Sequence, residues 1–158
     1  MGEEYLYGAK RKINNIIKDV RIIMAKTYRV FVSHSWKHND VLQQLKKLMD
    51  NRGYFYADYT HVEKTEPINS TNDSVIKANI TKRLQDSDIV LAIAGVYASH
   101  SDWMIWEMDK AKELGLNVVG VIPWGQERIS QEVYNRSKID VRWHTESIVS
   151  AIRRYAKQ

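Results

Sequence analysis

The 158 residues contain no cysteine, two prolines, two phenylalanines and no long apolar run. The first absence excludes disulfides, thiolate nucleophiles and cysteine-ligated zinc, and it fits a reducing compartment. No stretch approaches the roughly 18 apolar residues of a membrane span, and the charged segment from Met1 to Lys12 lacks the apolar centre of a secretion signal. The expectation is a soluble, cytoplasmic protein with no stable membrane partner. Also missing are a Gly-rich phosphate loop and a dinucleotide fingerprint, since Gly95 stands alone after the third predicted strand. The histidines offer no metal site: His34 and His38 fall four apart, but in a predicted loop and without a second suitably spaced pair.

What is present is a basic, single-domain-sized chain. Twenty-four Lys and Arg against 19 Asp and Glu give a net charge of +5 and a pI near 9.3. That balance favours an anionic partner such as a nucleotide. Much of the positive charge lies near the two ends, and no nucleic-acid recognition motif accompanies it, so a solvated basic face is expected rather than a nucleic-acid partner. A chain of this length buries roughly two-thirds of its unfolded surface and needs no staples.

Taken in order, Ile13, Ile16, Ile17, Val20 and Met24 recur at helical spacing between basic residues, predicting an amphipathic helix over about residues 10–24. It needs cover from its own domain or from a second copy; a membrane-surface helix is the other reading, though the aromatic anchors such helices favour are lacking. The run from Tyr28 to Ser33 alternates as a strand and ends in the polar tip Ser33-His34-Ser35-Trp36. A helix follows with Val41, Leu42, Leu45, Leu48 and Met49 on one face, and Gly53 is expected to take the left-handed backbone position after it. The aromatic stretch Tyr54 to Tyr59 is a second strand, and residues 60–72, with Pro67, form a long loop. Asp73 or Ser74 starts a helix through Val75, Ile76, Ile80 and Leu84. The unbroken run Ile89 to Ala94 reads as a strand buried on both faces. Ser101 caps the next helix, which stops at Gly115. Asn117 to Ile122 is the fourth strand, residues 131–135 a short helix, Ile139 to Trp143 the fifth strand, and Ile148, Val149, Ile152 and Tyr155 mark the last helix.

Five strands alternating with helices predict an α/β, flavodoxin-like three-layer fold: a five-stranded parallel sheet of order 2-1-3-4-5 with an extra N-terminal amphipathic helix. Residues 1–27 are expected to form that extension and residues 28–158 the domain proper. In this order the binding crevice opens at the carboxyl ends of strands one and three, where the winding reverses. The tip at Ser33 and the loop from Gly95 to Ser101 meet there.

One residue in that neighbourhood stands out. Between Asp102 and Asp109 every residue is apolar except Glu107. A carboxylate inside an aromatic helix costs several kcal/mol to bury unless it is paired or used. Trp103 lies four residues before it, hence on the same helical face. An aromatic plane beside a carboxylate suits a cationic ring substrate. Cleaving ribose from an already positive nicotinamide needs little acid assistance, so one carboxylate can serve where ordinary glycosidases use two. A capping or paired structural glutamate is the alternative that spacing leaves open.

The combination of Arg29-Val30-Phe31-Val32-Ser33-His34-Ser35, the segment from Asp58 to Asn72, Tyr97-Ala98-Ser99-His100-Ser101-Asp102-Trp103 with Glu107, and Gly120-Val121-Ile122-Pro123-Trp124-Gly125 resembles the TIR domains. More narrowly it is similar to the bacterial TIR-like branch that includes the stand-alone TIR proteins of Thoeris antiphage defence. The resemblance covers about Tyr28 to Tyr155. It implies an NAD+ glycohydrolase or ADP-ribosyl cyclase, with NAD+ as substrate and no cofactor. Glu107 matches the family's catalytic glutamate and Trp103 the aromatic residue one turn before it. Phe31 and Ser33 fall where the first strand lines the nucleotide pocket, and His34, Ser35 and Asp58 join them as substrate-binding candidates. The loop at 60–72 corresponds to the family's mobile loop, where members self-associate. In Thoeris-like members the product is a cyclic or conjugated ADP-ribose signal that reaches a separate effector by diffusion, and the lack of a second domain in these residues agrees with a signal producer. A noncatalytic TIR-like interaction module acting by self-association is the other class the resemblance allows. Two features depart from the family pattern: a loop from Tyr97 to Trp103 that is one residue longer than in many members, and the basic helix before Tyr28.

Overall fold

The strand β3 (Ile89–Ile93) is buried at every position, which requires cover on both faces of its sheet. In the computed structural model, which describes residues 2–35, 40–62, 72–95, 98 and 101–158, five parallel strands supply the sheet. The elements run α1 (Gly2–Ala25), β1 (Thr27–Ser33), α2 (Asp40–Met49), β2 (Tyr56–Thr60), α3 (Asp73–Gln85), β3, α4 (Asp102–Glu113), β4 (Val118–Ile122), α5 (Gln131–Tyr134), β5 (Ile139–Arg142) and α6 (Thr145–Tyr155). The strand order is β2-β1-β3-β4-β5 with all neighbours parallel, as the alternation of elements predicts.

Two apolar layers follow from the pleat. Tyr28, Val30 and Val32 of β1 pack with Leu45 and Met49 of α2 and Ile148 and Ile152 of α6. Phe31 of β1 and Val90 and Ala92 of β3 face the other way, onto Ile80 and Leu84 of α3 and Trp103, Met104 and Met108 of α4. Adjacent residues on a strand point to opposite faces, so Phe31 and Ser33 share the α4 side. That parity places Ser33 at the crevice under α4.

Local chemistry explains the boundaries. Ser101 Oγ accepts from Met104 N at 3.3 Å and caps α4, and Gly115, at φ 73°, ends the turn after it. After α2, however, the left-handed residue is Tyr54 (φ 59°), not Gly53. The turn through Gly53 does not need a positive φ, whereas the residue entering β2 does. Val75, expected on the buried face of α3, is exposed; Ile80 and Leu84 carry that contact.

The N-terminal helix is longer than periodicity over 10–24 indicates. It starts at Gly2, because Leu6 and Ala9 continue the apolar spacing backward. Its residues from Glu4 to Arg21 are exposed all the way round, so its own domain does not cover it. None of the described helices is long and apolar enough to cross a membrane.

Candidate active site

Ser33 is the last residue of β1 and Glu107 lies in the second turn of α4, 74 positions later. Both are fully buried, and the Ser33 hydroxyl donates to Glu107 Oε2 at 2.6 Å. The bond forms because the parity of β1 aims Ser33 toward α4 and the Ser101 cap fixes the start of that helix. A short O–H to carboxylate bond is among the stronger neutral–charged contacts, and it meets part of the desolvation cost that the sequence flags for Glu107.

Phe31 and Trp103 are buried in the same apolar cluster beneath α4, together with Met104, Met108 and Ala98. Trp103 therefore faces inward. Trp106, one turn face away, is half-buried and meets the Trp103 ring edge-on at 6.4 Å, with the ammonium groups of Lys77 and Lys110 over its own ring. The aromatic run of α4 thus divides into an inner ring and an outer ring under two cations.

His34 follows Ser33 and its ring sits 3.1 Å from two partners, the Ser35 carbonyl through Nδ1 and His61 Nδ1 through Nε2. A carbonyl can only accept, so His34 Nδ1 carries a proton. In the neutral pair His34 Nε2 then accepts from His61 Nδ1–H, and the two rings are tilted with centroids 5.2 Å apart. No local pattern in the sequence singles out His61. The available signal was positional: it comes directly after β2, whose carboxyl end neighbours that of β1 in the 2-1-3-4-5 order.

Ser35 and His34 line a cavity of about 190 Å³ whose far wall is Gly95, Ala98, Pro123 and Gln126. This is the crevice between the carboxyl ends of β1, β3 and β4. At Gly95 an added Cβ would lie 3.1 Å from Gln126 Oε1 and 3.3 Å from Pro123 Cγ, so the missing side chain keeps this wall open. Beyond His61 a wider groove of about 490 Å³ runs between α2 and α3, bordered by Lys46, Thr60, Asn79 and Arg83. Arg83 donates to Thr60 Oγ1 at 2.6 Å.

Of the residues singled out from sequence, Ser33 and Glu107 are in direct contact, Phe31 and Trp103 pack in the cluster beside them, and His34 and Ser35 border the crevice. Asp58 stands apart. It is exposed, opposite Arg29 in the strand register and two residues before Thr60 at the β2 end. Among the described residues no group of three or more His, Cys, Asp or Glu is arranged to hold a metal ion. Most of the loop at 60–72 lies outside the described residues, as do Trp36, His38, Tyr97, Ser99 and His100.

A parallel 2-1-3-4-5 sheet with a buried carboxylate bonded to the tip of β1 defines a doubly wound α/β domain with its polar cluster at the switch point. Residues 31–128 match the family described as the TIR-like domain of the Thoeris protein ThsB, and the chain belongs to that family. The match takes in Phe31, Ser33, His34, Asp58, His61, Trp103 and Glu107. A curated protein of Cytobacillus dafuensis, provisionally named cyclic ADP-D-ribose synthase TIR2, is 29% identical over 94 residues. That match covers 57% of this chain and 24% of the relative, so the chain corresponds to about a quarter of that protein. Among solved structures, the CMP N-glycosidase BcmB of Clostridium botulinum aligns with a TM-score of 0.48 at 12% identity, over 78% of this chain and 97% of that one. A 2-deoxyribosyltransferase from Bacillus psychrosaccharolyticus aligns at 0.47 and 16%, over 72% and 85%. Backbone likeness at that level says nothing about chemistry.

Proposed function

We propose that this chain is an NAD-consuming TIR-like enzyme that cleaves the bond between nicotinamide and ribose and yields a cyclic or conjugated ADP-ribose signal for a separate effector in antiphage defence. The observation that carries the reading is the buried Ser33–Glu107 pair at the carboxyl-end crevice. Membership of the Thoeris TIR-like family and the name of the Cytobacillus relative support it.

In the proposed reaction the bond from ribose C1′ to the ring nitrogen breaks, and its electron pair goes to the nitrogen. The positive charge of the pyridinium moves to the ribose as an oxocarbenium-like centre, and neutral nicotinamide departs. Glu107 stabilises that centre and holds a ribose hydroxyl; preorganised charge aimed at a developing cation is the large term in such catalysis. Ser33 orients the carboxylate. Trp103 and Phe31 wall the ring, and the cations Lys46 and Arg83 line the groove where a pyrophosphate would run. Water, an adenine nitrogen or another nucleophile then captures C1′ and sets the product.

Glu107 is fully covered and the crevice of about 190 Å³ is smaller than the usual ligand pocket of roughly 300–1,000 Å³. Substrate access therefore requires displacement of the side chains over Glu107. The same coverage favours a second reading, a noncatalytic TIR-like module in which Glu107 is structural and self-association is the output. One assay separates them. Purified protein incubated with NAD+ is expected to release nicotinamide, and Glu107→Gln to lower release by at least about 100-fold with the fold retained. Release unchanged in that variant would remove Glu107 from the chemistry, and no release at any protein concentration would favour the second reading.

A further inference from the structure

The exposed helix α1 carries a regular seam. Leu6, Ala9, Ile13, Ile16 and Val20 succeed one another at spacings of three, four, three and four residues, and Ile23 continues the series in the sequence. That is a heptad with Leu6, Ile13 and Val20 at a and Ala9, Ile16 and Ile23 at d. The spacing of Ile17 from Ile13 puts it at e, beside the seam. The large seam residues with Ile17, from Leu6 to Val20, are between 44% and 62% exposed. Glu4, Arg11 and Lys18 fall at f, directly opposite the seam. Most helical stability in proteins comes from packing an amphipathic face, and nothing in the described domain packs on this one.

We propose that α1 pairs with α1 of a second copy as an antiparallel two-stranded coiled coil. The flanking charges select both the occupant and the direction. In an antiparallel pair with Ile13 facing Ile16 of the partner subunit, and Val20 facing Ala9 of the partner subunit, the g positions meet each other. Lys12 then lies across from Asp19 of the partner subunit, twice by symmetry, while the Lys10 stem covers Ile17 of the partner subunit. In a parallel pair each g position meets e of the other helix, so Lys12 would face Ile17, and Asp19 would meet an e position that is apolar in the sequence. That direction leaves both charges without an opposite partner. Only the antiparallel register satisfies the seam and the charges together.

The geometry also sets where the domains go. α1 joins β1 at Thr27, the amino end of the sheet, whereas Ser33 and Glu107 lie at the carboxyl end. A 24-residue helix spans roughly 36 Å, so the antiparallel rod holds the two domains at its opposite ends.

Sedimentation equilibrium on the full chain is expected to give a dimer at micromolar concentration, and Ile13→Asp with Ile16→Asp a monomer. The five tryptophans all lie outside α1, so unchanged tryptophan emission shows that the domain still folds. Lys12→Glu or Asp19→Lys alone is expected to raise the dimer Kd roughly five-fold, and the two together to restore it. Because the chain has no cysteine, single spin labels report direction. Labels at Asn15→Cys in the two copies should lie close together, and labels at Glu4→Cys roughly 30 Å farther apart. Equal separations at both positions overturn the antiparallel pair. A monomer at all concentrations, or a monomer that binds anionic phosphatidylserine vesicles through α1, overturns the second copy as occupant.

Discussion

Asp88 and Glu107 are carboxylates of nearly equal burial, 6% and 0% exposed, at opposite ends of the same pair of strands. Asp88 precedes β3 at the amino end. Its Oδ1 accepts from Arg29 Nη2 at 2.7 Å and its Oδ2 from the Arg29 backbone N–H at 2.9 Å, while its own N–H donates to the Arg29 carbonyl. Burial pushes the Asp88 carboxyl up, but the hydrogen bonds and charge of Arg29 outweigh it and hold the group below the usual carboxylate range. Glu107, at the carboxyl end, accepts from the neutral hydroxyl of Ser33, and Trp103, Met104 and Met108 of its own helix lie in the apolar cluster under α4. A cation matched to one carboxylate makes a clasp between β1 and β3. Glu107 stands at the switch point, hydrogen-bonded to the tip of β1.

The sharpest way to break this comparison is to exchange carboxylate for amide at both positions. Glu107→Gln is expected to remove nicotinamide release, by at least about 100-fold, at little cost in stability, because the amide oxygen still accepts from Ser33. Asp88→Asn is expected to leave release per folded molecule unchanged. If both variants lost activity alike, the functional contrast between the two ends would be wrong. Ser33→Ala should fall between: it takes one charge-assisted hydrogen bond from the buried Glu107 carboxylate, costing about 1–3 kcal/mol in urea denaturation, and should lower release about ten-fold through misplaced carboxylate geometry.

The carboxyl-end half of this contrast is legible in the sequence, because it rests on period and parity, whereas the pairing of Asp88 with Arg29 is not. The isolated Glu107 in an apolar helix, the buried run of β3 and the polar tip of β1 fix the crevice once the strand order is deduced from alternation. Other contacts and conformations are not legible. His61 meets His34 across adjacent strand ends, a contact between residues 27 apart that no local pattern encodes. The left-handed residue is Tyr54 although a glycine stands next to it; propensity favours Gly53, and the docking of β2 in register with β1 overrides it. Burial is also invisible to spacing: Trp103 and Trp106 lie three apart, yet one is core and the other half-buried under two lysines.

At the amino end, Asp88→Ala is expected to cost about 2 kcal/mol at neutral pH through loss of charge-assisted hydrogen bonds. The sign of its pH dependence follows from the depressed folded pKa. Such a group contributes stability above its unfolded value of about 3.9, and that contribution is lost as pH falls through the lower folded value. Urea midpoints of wild type and Asp88→Ala should therefore differ most from pH 5 upward and converge in strong acid. A constant gap across that range would mean that the carboxylate charge is not what Asp88 contributes.

The smallest effect belongs to Arg29→Lys, and it tests how much of the clasp is fork geometry rather than charge. Arg29 reaches Asp88 through Nη2 at 2.7 Å and Nε at 3.4 Å, and its side chain is more than half exposed. Solvent screening limits what an exposed partner contributes, to about 0.2–1 kcal/mol. A lysine keeps the positive charge but offers a single point of contact in place of the planar fork. The backbone bond from residue 29 N–H to Asp88 does not depend on the side chain. The expected loss is therefore about 0.5 kcal/mol in the urea midpoint, with the acid convergence retained because the charge remains. A loss as large as that of Asp88→Ala would show that the guanidinium geometry, more than the buried backbone donor, holds the clasp together.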